Sequence, residues 1–433
     1  MSASAPPLPV AEALRLVRET ARECPLPARE CELATALGCL LDEPVEADLD
    51  LPPFDKALVD GFAVRSADLA AGIREFDLVG EILAGRTFDL ELLPGQTVAI
   101  MTGAPMPLGA DAVVMVERAE RTADRRVRLP GPLAAGRNRL PRATELRKGE
   151  VVARPGDRLT PARLGLLASV GRRSVRVRPR PKVAIVSTGD ELVGIDQIPG
   201  PGQIRNSNST ALAALYQALG ASTWESPVAP DDLDRLEAML FAAIVGSTSD
   251  GRPADALVIS GGVSAGNRDL VPAALERLGA RRIFHQVSVK PGKPLWFGTV
   301  SRPGGDGTSL VFGLPGNPVS GLVCSLVFAA AGLEIVSGGT LVAPRVESRE
   351  IAEAFEHDEI RNTYYPARLQ PDGRVRALAW AGSSDLRTIA DADGFLVLAS
   401  GPNRFAAGDR ADFLPIPGGF APAMQSDFGV VPQ

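Results

Sequence analysis

The chain has 433 residues, 45% hydrophobic and 23% charged, which is long enough for several globular domains. Its net charge of −6 argues against nucleic acid as a partner, because that calls for a clustered basic face. The four cysteines show no C-x-x-C spacing, so we expect reduced, mostly buried thiols in a cytoplasmic protein. We expect no signal peptide, because the N-terminus has no basic region followed by an apolar one. We expect no membrane contact, because the longest apolar run, 321–336, is too short to span a bilayer and is typical of a core helix.

The first half of the chain predicts two helices that flank a β-rich module. Apolar residues recur at helical spacing over 10–22. Between about 51 and 146, short apolar runs alternate with Gly and Pro, which indicates strands and turns. These predicted strands are 76–79, 97–100 and 112–116. Residues 160–171 predict a second helix, with a threonine N-cap, proline at the first position and glycine at the end.

The second half predicts a different architecture after a proline-containing linker at 178–181. Strands and helices alternate there, which indicates βαβ units and a mostly parallel sheet. The predicted elements are strand 183–186, helix 208–219, a helix starting at Asp231, strand 256–259, helix 270–278, strands 295–300 and 309–312, and an apolar helix from 318. Beyond about 338 the pattern is again β, and we expect a small C-terminal barrel with a strand at 395–398. The predicted fold class is therefore multidomain, α/β and β.

Three predicted strands lead directly into polar, glycine-rich turns. These turns are 187–191 (STGDE), 260–269 (SGGVSAGNRD) and 313–318 (GLPGNP). Glycine lets the backbone approach a ligand and turn its N–H groups toward an anion. Open α/β sheets bind ligands at the carboxyl ends of their strands. The turns therefore predict a ligand crevice along one edge of the sheet.

Carboxylates lie in or beside these turns, namely Asp190, Glu191, Asp231 and Asp269. Such oxygens suit a hard cation such as Mg²⁺. The same residue types also cap helix N-termini, and Asp231 in the sequence PDDL is especially typical of a cap. The sequence leaves both interpretations open.

The segment 290–294 (KPGKP) places Lys290 and Lys293 in a rigid turn ahead of an apolar strand. Lysine binds phosphate and other oxyanions as a point charge. A solvated turn without a ligand is the alternative. The segment is not a P-loop, because no G-x-x-x-x-G-K-[ST] occurs in the chain.

A serine hydrolase is the main competing interpretation, because 262–266 (GVSAG) matches the nucleophile-elbow pattern after a strand. That mechanism needs a histidine later in the chain, and only two histidines exist. His285 follows Ser264 too soon for the usual order, and His357 lies in a charged segment. Two histidines and scattered cysteines also do not favour a zinc site.

Taken together, these segments resemble the molybdopterin molybdenumtransferase family, which includes bacterial MoeA proteins and the E domain of gephyrin. The resemblance covers nearly the whole chain. The blocks that carry it are 54–65 (FDKALVDGFAVR), 101–107 (MTGAPMP), 109–114 (GADAVV), 187–192 (STGDEL), 260–269, 290–294 and 313–318.

The resemblance implies four domains and a homodimer. The domains are a helical and linker part (1–50 with 147–180), a β-rich module (51–146), an α/β molybdopterin-binding domain (181–337) and a C-terminal β-barrel (338–433). The implied reaction inserts molybdenum from molybdate into adenylated molybdopterin, with Mg²⁺, and releases AMP and molybdenum cofactor. Molybdopterin adenylyltransferase and molybdoenzymes are the implied protein partners.

The resemblance also implies site residues. The catalytic set is Asp60, Thr102, Glu191, Asp231 and Asp269. The substrate-binding set is Ser187, Thr188, Gly189, Gly261, Gly262, Ser264, Lys290, Lys293, Pro315 and Pro318. The metal ligands are Glu191, Asp269 and Glu145, and Glu145 stands where the family usually has aspartate.

The chain departs from the family pattern at a few positions. Ala57 and Phe62 replace hydroxyl-bearing residues of the first block, and Asn267 stands where an acidic residue is common. His285 lies in a segment where some members have lysine. A divergent protein that binds the pterin or a partner without turnover therefore stays open beside the enzyme.

Overall fold

The computed structural model describes residues 6–86, 91–246, 252–263, 270–303, 307–340 and 342–418. The chain divides into two compact units. The smaller unit is formed by Cys31–Leu37 and Leu41–Val175. The larger unit is formed by Met1–Glu30, Gly38–Leu40 and Arg176–Gln433. The predicted site residues Ser264 and Asp269, together with Asn267, lie outside the described residues.

The smaller unit is built around a six-stranded sheet. In spatial order its strands are Ala112–Met115, Gly61–Val64, Gln96–Ile100, Glu75–Ile82, Arg126–Arg128 and Glu120–Ala123. Neighbouring strands run antiparallel, except that Glu75–Ile82 and Gln96–Ile100 run parallel. Two small hydrophobic cores flank this sheet, one around Val98 and one around Phe76.

The remaining elements of this unit are short. Two-stranded ladders pair Arg139–Leu140 with Lys56–Ala57 and Val151–Ala153 with Val45–Glu46. The helices are Ser66–Ala70 and Pro161–Ser169, with 3₁₀ turns at Leu33–Thr35 and Val116–Arg118. The predicted N-cap is confirmed, because Thr160 Oγ1 accepts the Arg163 N–H at 3.3 Å.

The larger unit contains a second six-stranded sheet. Its strands in chain order are β1 (Lys182–Ser187), β2 (Ser222–Glu225), β3 (Ala256–Ser260), β4 (Arg281–His285), β5 (Trp296–Ser301) and β6 (Thr308–Leu314). The spatial order is β2-β1-β3-β6-β5-β4. The first four strands in this order run parallel, whereas β5 and β4 run antiparallel to their neighbours, so the sheet is mixed. The sequence pattern missed β2 and β4 because both are edge strands and carry no continuous apolar run.

Helices cover both faces of this sheet. They are the N-terminal helix Val10–Arg22, α1 (Ser207–Ala218), α2 (Leu233–Val245), α3 (Val271–Arg277) and α4 (Pro318–Val336). Alternate strand residues enter different cores: Val258 packs with residues of α1, α4 and the N-terminal helix, and Leu257 packs with residues of α2 and α3. The result is a three-layer α/β/α domain.

The apolar helix α4 corrects one step of the sequence argument. It has 19 residues and a mean hydropathy of 2.1, so its length and composition alone would allow it to cross a membrane. Its burial decides the matter, because 78% of it lies inside the protein, in the core with Phe312 and Val17. The prediction of a core helix is therefore confirmed, but on burial and not on length.

The rest of the chain is β-rich. The main C-terminal sheet has the order Val289–Lys290, Asn362–Leu369, Gly394–Leu398, Arg410–Pro415 and Glu347–Glu350, with Val375–Ala377 beside Asn362–Leu369. Phe355–Glu359 and Gly401–Phe405 form a separate ladder, and Leu386–Ala390 is a short helix. Within the described ranges the main sheet is open, so the closed barrel stays a prediction. The remaining short strands are Arg29–Glu32, Leu40–Leu41, Ser174–Arg178, Leu192–Val193 and Ile204–Arg205.

Candidate active site

The carboxyl ends of β1, β3 and β6 meet at one edge of the central sheet. The Thr188 N–H donates to Ser260 O at 3.1 Å, and the Gly261 N–H donates to Leu314 O at 3.1 Å. These bonds continue the strand pairing into the turns and hold the first residues of the three turns side by side. The described residues of the turns line an open cleft of about 510 Å³, a volume that suits a nucleotide-sized ligand.

Most of the predicted residues of these turns line this cleft. They are Thr188, Gly189, Glu191, Asp231, Gly261, Gly262, Pro315 and Pro318. Ser187 is an exception, because its side chain is buried and its Oγ lies 2.9 Å from the Oγ of Ser209 in α1. Ser187 therefore faces α1 and is not among the residues that line the cleft.

Asp231 does not cap the helix that follows it. The N-cap of α2 is Asp232, whose Oδ1 accepts the Arg235 N–H at 2.9 Å. Asp231 instead lies at the cleft, where its Oδ1 accepts the Thr188 hydroxyl at 3.2 Å. Its own N–H donates to Asp190 Oδ1 at 3.0 Å. The two adjacent aspartates thus have separate roles, one at the helix and one at the cleft.

Two exposed carboxylates, Glu191 and Asp231, line the cleft. No group of three His, Cys, Asp or Glu side chains suited to a metal ion exists in the part of the chain that the structure describes. Mg²⁺ does not need such a group, because it is commonly held by one or two carboxylates, substrate phosphates and water. Each of the two carboxylates is therefore a candidate ligand for Mg²⁺ that enters with a phosphorylated molecule. Glu145 lies in the smaller unit, with its Oε1 3.7 Å from Lys56 Nζ.

Sequence reasoning missed several polar residues of the cleft. Asn208 Nδ2 donates to Ser260 Oγ at 2.8 Å and to Gly316 O at 2.7 Å, which ties α1 to two of the three turns. Arg205 adds a cation to the lining, and its Nε donates to Gln197 O at 2.9 Å. The signal was the polar run 206–210 that opens α1, which the sequence alone marks only as a helix start.

A second cavity of about 370 Å³ adjoins the first and shares Pro294, Pro315 and Asn317 with it. It contains the predicted cations Lys290 and Lys293. The other residues that line it include Arg361, Trp380, Ser383 and Ser320. The sequence did not identify these four, because three come from the C-terminal domain and Ser320 lies inside an apolar helix.

The cations of the second cavity are not equivalent. Lys290 Nζ lies 2.7 Å from Glu359 Oε2, and Arg361 Nε lies 3.6 Å from Glu359 Oε1. The hydrogen bond from Lys290 lowers the pKa of the Glu359 carboxyl, and Arg361 adds to the effect. Lys293 is exposed and has no ion-pair partner within the described ranges. Lys293 is therefore the cation most available to an anion.

Asp60 and Thr102 form a pair in the smaller unit. Asp60 Oδ1 accepts the Thr102 backbone N–H at 2.7 Å and the Thr102 hydroxyl at 2.8 Å. The backbone hydrogen bond, followed by that of the hydroxyl, lowers the pKa of the Asp60 carboxyl. Asp60 and Thr102, which the family resemblance implies from two separate sequence blocks, are thus in direct contact.

Both histidines are occupied in ways that disfavour a hydrolase. His285 Nε2 lies 2.8 Å from Val263 O, so this nitrogen carries the proton and donates to the carbonyl. The base of a catalytic triad has to accept a proton from serine. His357 Nε2 lies 3.2 Å from Thr363 Oγ1, and burial lowers the pKa of its ring. Neither histidine is placed as a general base by these contacts.

Fold and site together define a multidomain α/β protein with an open, polar cleft at the carboxyl ends of its central parallel strands. Three family models match the chain: "MoeA N-terminal region (domain I and II)" over 8–171, "Probable molybdopterin binding domain" over 184–334 and "MoeA C-terminal region (domain IV)" over 349–416. The chain belongs to the molybdopterin molybdenumtransferase family, whose members are enzymes of molybdenum cofactor biosynthesis.

Individual relatives agree with this assignment. The molybdopterin molybdenumtransferase of Synechococcus elongatus is 34% identical, and the match covers 92% of this chain and 96% of the relative. That of Bacillus subtilis is 32% identical over 94% of each chain. A molybdopterin biosynthesis MoeA protein from Pyrococcus horikoshii has a similar structure, with a TM-score of 0.73 and 28% identity, covering 95% of this chain and 100% of that one.

Proposed function

We propose that this protein inserts molybdenum from molybdate into adenylated molybdopterin and releases AMP and molybdenum cofactor. One observation supports this reaction best: two adjoining cavities share Pro294, Pro315 and Asn317. The larger, open cavity suits the nucleotide-sized part of an adenylated pterin, and the smaller, cationic one suits a compact oxyanion. A reaction that joins molybdate to a pterin dithiolene needs two such sites side by side.

In the larger cavity the turns would hold the phosphates of the adenylated pterin, with Arg205 as a counter-charge. Glu191 and Asp231 would hold Mg²⁺, which polarises the phosphoanhydride that breaks when AMP leaves. Asn208 would keep the turns after β3 and β6 in place while this bond breaks. Of the family-implied residues, Ser264 and Asp269 stay predicted members of this site.

In the smaller cavity Lys293, Lys290 and Arg361 would bind molybdate, with the hydroxyls of Ser320 and Ser383 as further donors. The buried Nε1 of Trp380 has no acceptor among the described residues, and an anion oxygen would satisfy it. Cations and neutral donors around a small space are what a tetrahedral dianion requires.

The remaining family-implied properties are part of the same proposal. Asp60 and Thr102 act as a catalytic pair, and Glu145 contributes to metal binding. The domain bounds are those of the sequence analysis, including a C-terminal barrel over 338–433. The protein is a cytoplasmic homodimer, with molybdopterin adenylyltransferase and molybdoenzymes as partners; four thiols without disulfides agree with a reducing compartment. A sedimenting monomer with full activity would argue against the dimer.

The decisive experiment supplies purified protein with adenylated molybdopterin, molybdate and Mg²⁺. We expect AMP release and molybdenum cofactor that activates an apo-molybdoenzyme. Pterin binding without AMP release would instead support the non-catalytic alternative. Omission of Mg²⁺ separates the metal requirement from the binding of the pterin.

Replacement of Lys293 by alanine should weaken molybdate binding about 10- to 100-fold, because a charge-assisted contact contributes roughly 1.5–3 kcal/mol. The loss should shrink at high salt, because exposed charges are screened. Calorimetric titration of molybdate at low and high ionic strength measures both effects. Lys148→Ala is the matched control, since it removes the same charge from the smaller unit. Equal affinities for wild type and Lys293→Ala would remove Lys293 from the anion site.

Replacement of Thr102 by valine should raise the pKa of Asp60, because it removes the hydroxyl bond and keeps the backbone bond. A lowered pKa keeps the Asp60 carboxylate ionised as the pH falls, so wild-type activity persists into more acidic solution. The acid limb of the pH–rate profile should therefore move to higher pH in Thr102→Val. An acid limb that stays in place would show that ionised Asp60 is not required.

A further inference from the structure

One carboxylate, Glu359, touches two of the three cations that line the second cavity among the described residues. Its Oε2 is 2.7 Å from Lys290 Nζ, and its Oε1 is 3.6 Å from Arg361 Nε. Only 15% of the Glu359 side chain is exposed, compared with 34% for Lys290 and 31% for Arg361. The pairing of Val289–Lys290 with Asn362 and Thr363 holds these three residues together. Glu359 thus contacts two cations of the cavity directly, although it is not itself one of the residues that line the cavity.

We propose that Glu359 is an internal counter-ion that weakens the anion site, so that a bound divalent oxyanion can pass on to the neighbouring cavity. The inference rests on the proposed function, which assigns the oxyanion to this cavity. Lys290, Lys293 and Arg361 carry three positive charges, and Glu359 reduces the sum from +3 to +2. A dianion then neutralises the cavity instead of leaving a positive excess that holds it.

Two physical effects act in the same direction. Glu359 repels an incoming anion, and it also occupies one of the three N–H donors of the Lys290 ammonium group. The lowered pKa of its carboxyl keeps this negative charge in place at neutral pH. An oxyanion that reacts in the larger cavity must first dissociate from the second cavity. A site that binds the oxyanion too tightly slows this dissociation. Weak binding is therefore a functional property of this cavity.

The effect of Glu359 should scale with the charge of the anion. Molybdate and perrhenate are tetrahedral oxyanions of closely similar shape, with charges of about −2 and −1. Removal of one charge about 6 Å from the anion changes affinity by about tenfold per unit of anion charge, at an effective dielectric constant of about 40. Glu359→Gln should therefore tighten perrhenate binding about tenfold and molybdate binding about a hundredfold.

The experiment measures calorimetric affinities for molybdate and perrhenate in wild type, Glu359→Gln and Glu356→Gln, using the full-length protein. Glu356 is the matched control, because it lies on the same strand as Glu359 and carries the same charge. Its side chain is exposed, and its Oε1 lies 3.9 Å from Arg404 Nε. In turnover assays Glu359→Gln should lower both KM for molybdate and kcat. Glu359→Asp keeps the charge and should retain the wild-type ratio of the two affinities.

The outcomes separate this inference from the proposed function. If Glu359→Gln binds molybdate no more tightly than Glu356→Gln, Glu359 merely orients Lys290 and Arg361, and the inference is wrong. If wild type binds neither oxyanion, the second cavity is not an anion site and the proposed function itself loses its support. If Glu359→Gln binds molybdate more tightly than wild type, and the double variant Glu359→Gln/Lys293→Ala loses this gain, the result supports both the inference and the proposed function.

Discussion

Replacement of Gly261 by alanine should greatly reduce ligand binding in the larger cavity. Gly261 has φ of +98°, a left-handed conformation that costs other residues about 1–3 kcal/mol. An added Cβ would also lie 2.6 Å from Thr188 O, a backbone atom that cannot move alone because the Thr188 N–H is bonded to Ser260. The turn after β3 has to shift away from the turn after β1, and the proposed phosphate site between them opens. We expect AMP affinity and turnover to fall at least about tenfold.

Gly316 provides the matched control in the same cleft. Its φ lies outside the left-handed region, and the atom nearest to an added Cβ is Gly261 Cα at 3.7 Å, an ordinary contact. Gly316→Ala should therefore retain AMP binding as measured by calorimetry. If both variants bind AMP like the wild type, the close contact between the two turns does not shape the ligand site.

Asp231→Ala should reduce turnover and Asp232→Ala should destabilise helix α2, although the two residues are adjacent. Asp231→Ala removes a carboxylate from the cleft and its bond to Thr188, and we expect turnover to fall about 10- to 100-fold. The Mg²⁺ concentration for half-maximal turnover should rise as well. Helix α2 keeps its cap in this variant, so its amide hydrogen exchange should not change.

Asp232→Ala removes the side-chain cap of α2, which costs about 0.5–2 kcal/mol. Hydrogen exchange over Leu233–Val245 should become faster, whereas turnover should stay near wild type. The pair of variants therefore separates a cleft residue from a capping residue. Loss of turnover in Asp232→Ala with normal turnover in Asp231→Ala would reverse the assignment and place Asp231 outside the chemistry.

The C-terminal domain contributes more to the candidate site than its sequence suggested. Glu359 and Arg361 lie in a charged stretch that is typical of a solvated surface. Their position becomes informative only through Lys290, 69 residues before Glu359, whose Nζ donates to Glu359 Oε2 and whose strand pairs with Asn362 and Thr363. The KPGKP block identifies Lys290 and Lys293, but Arg361 and the carboxylate Glu359 lie outside the family blocks that the sequence showed.

The sequence by itself determined the elements whose signal is local. The strands β1, β3 and β6 are continuous apolar runs, α4 is an apolar helix, and glycine-rich polar turns follow the three strands. Because the carboxyl ends of neighbouring parallel strands lie at one edge, such turns already indicate a common cleft. The match of several blocks in order was enough to indicate the family.

The tertiary structure alone decided which side chain of each local group faces the cleft. Two adjacent aspartates have equal cap propensity, and only packing of α2 shows that Asp232 caps while Asp231 contacts Thr188. Ser187 has a hydroxyl group suited to binding a ligand, yet this hydroxyl is buried and contacts Ser209. Edge strands β2 and β4 form because neighbours supply hydrogen bonds, not because their own residues demand it. Periodicity records local preference, whereas orientation and long-range pairing depend on the free energy of the whole packed domain.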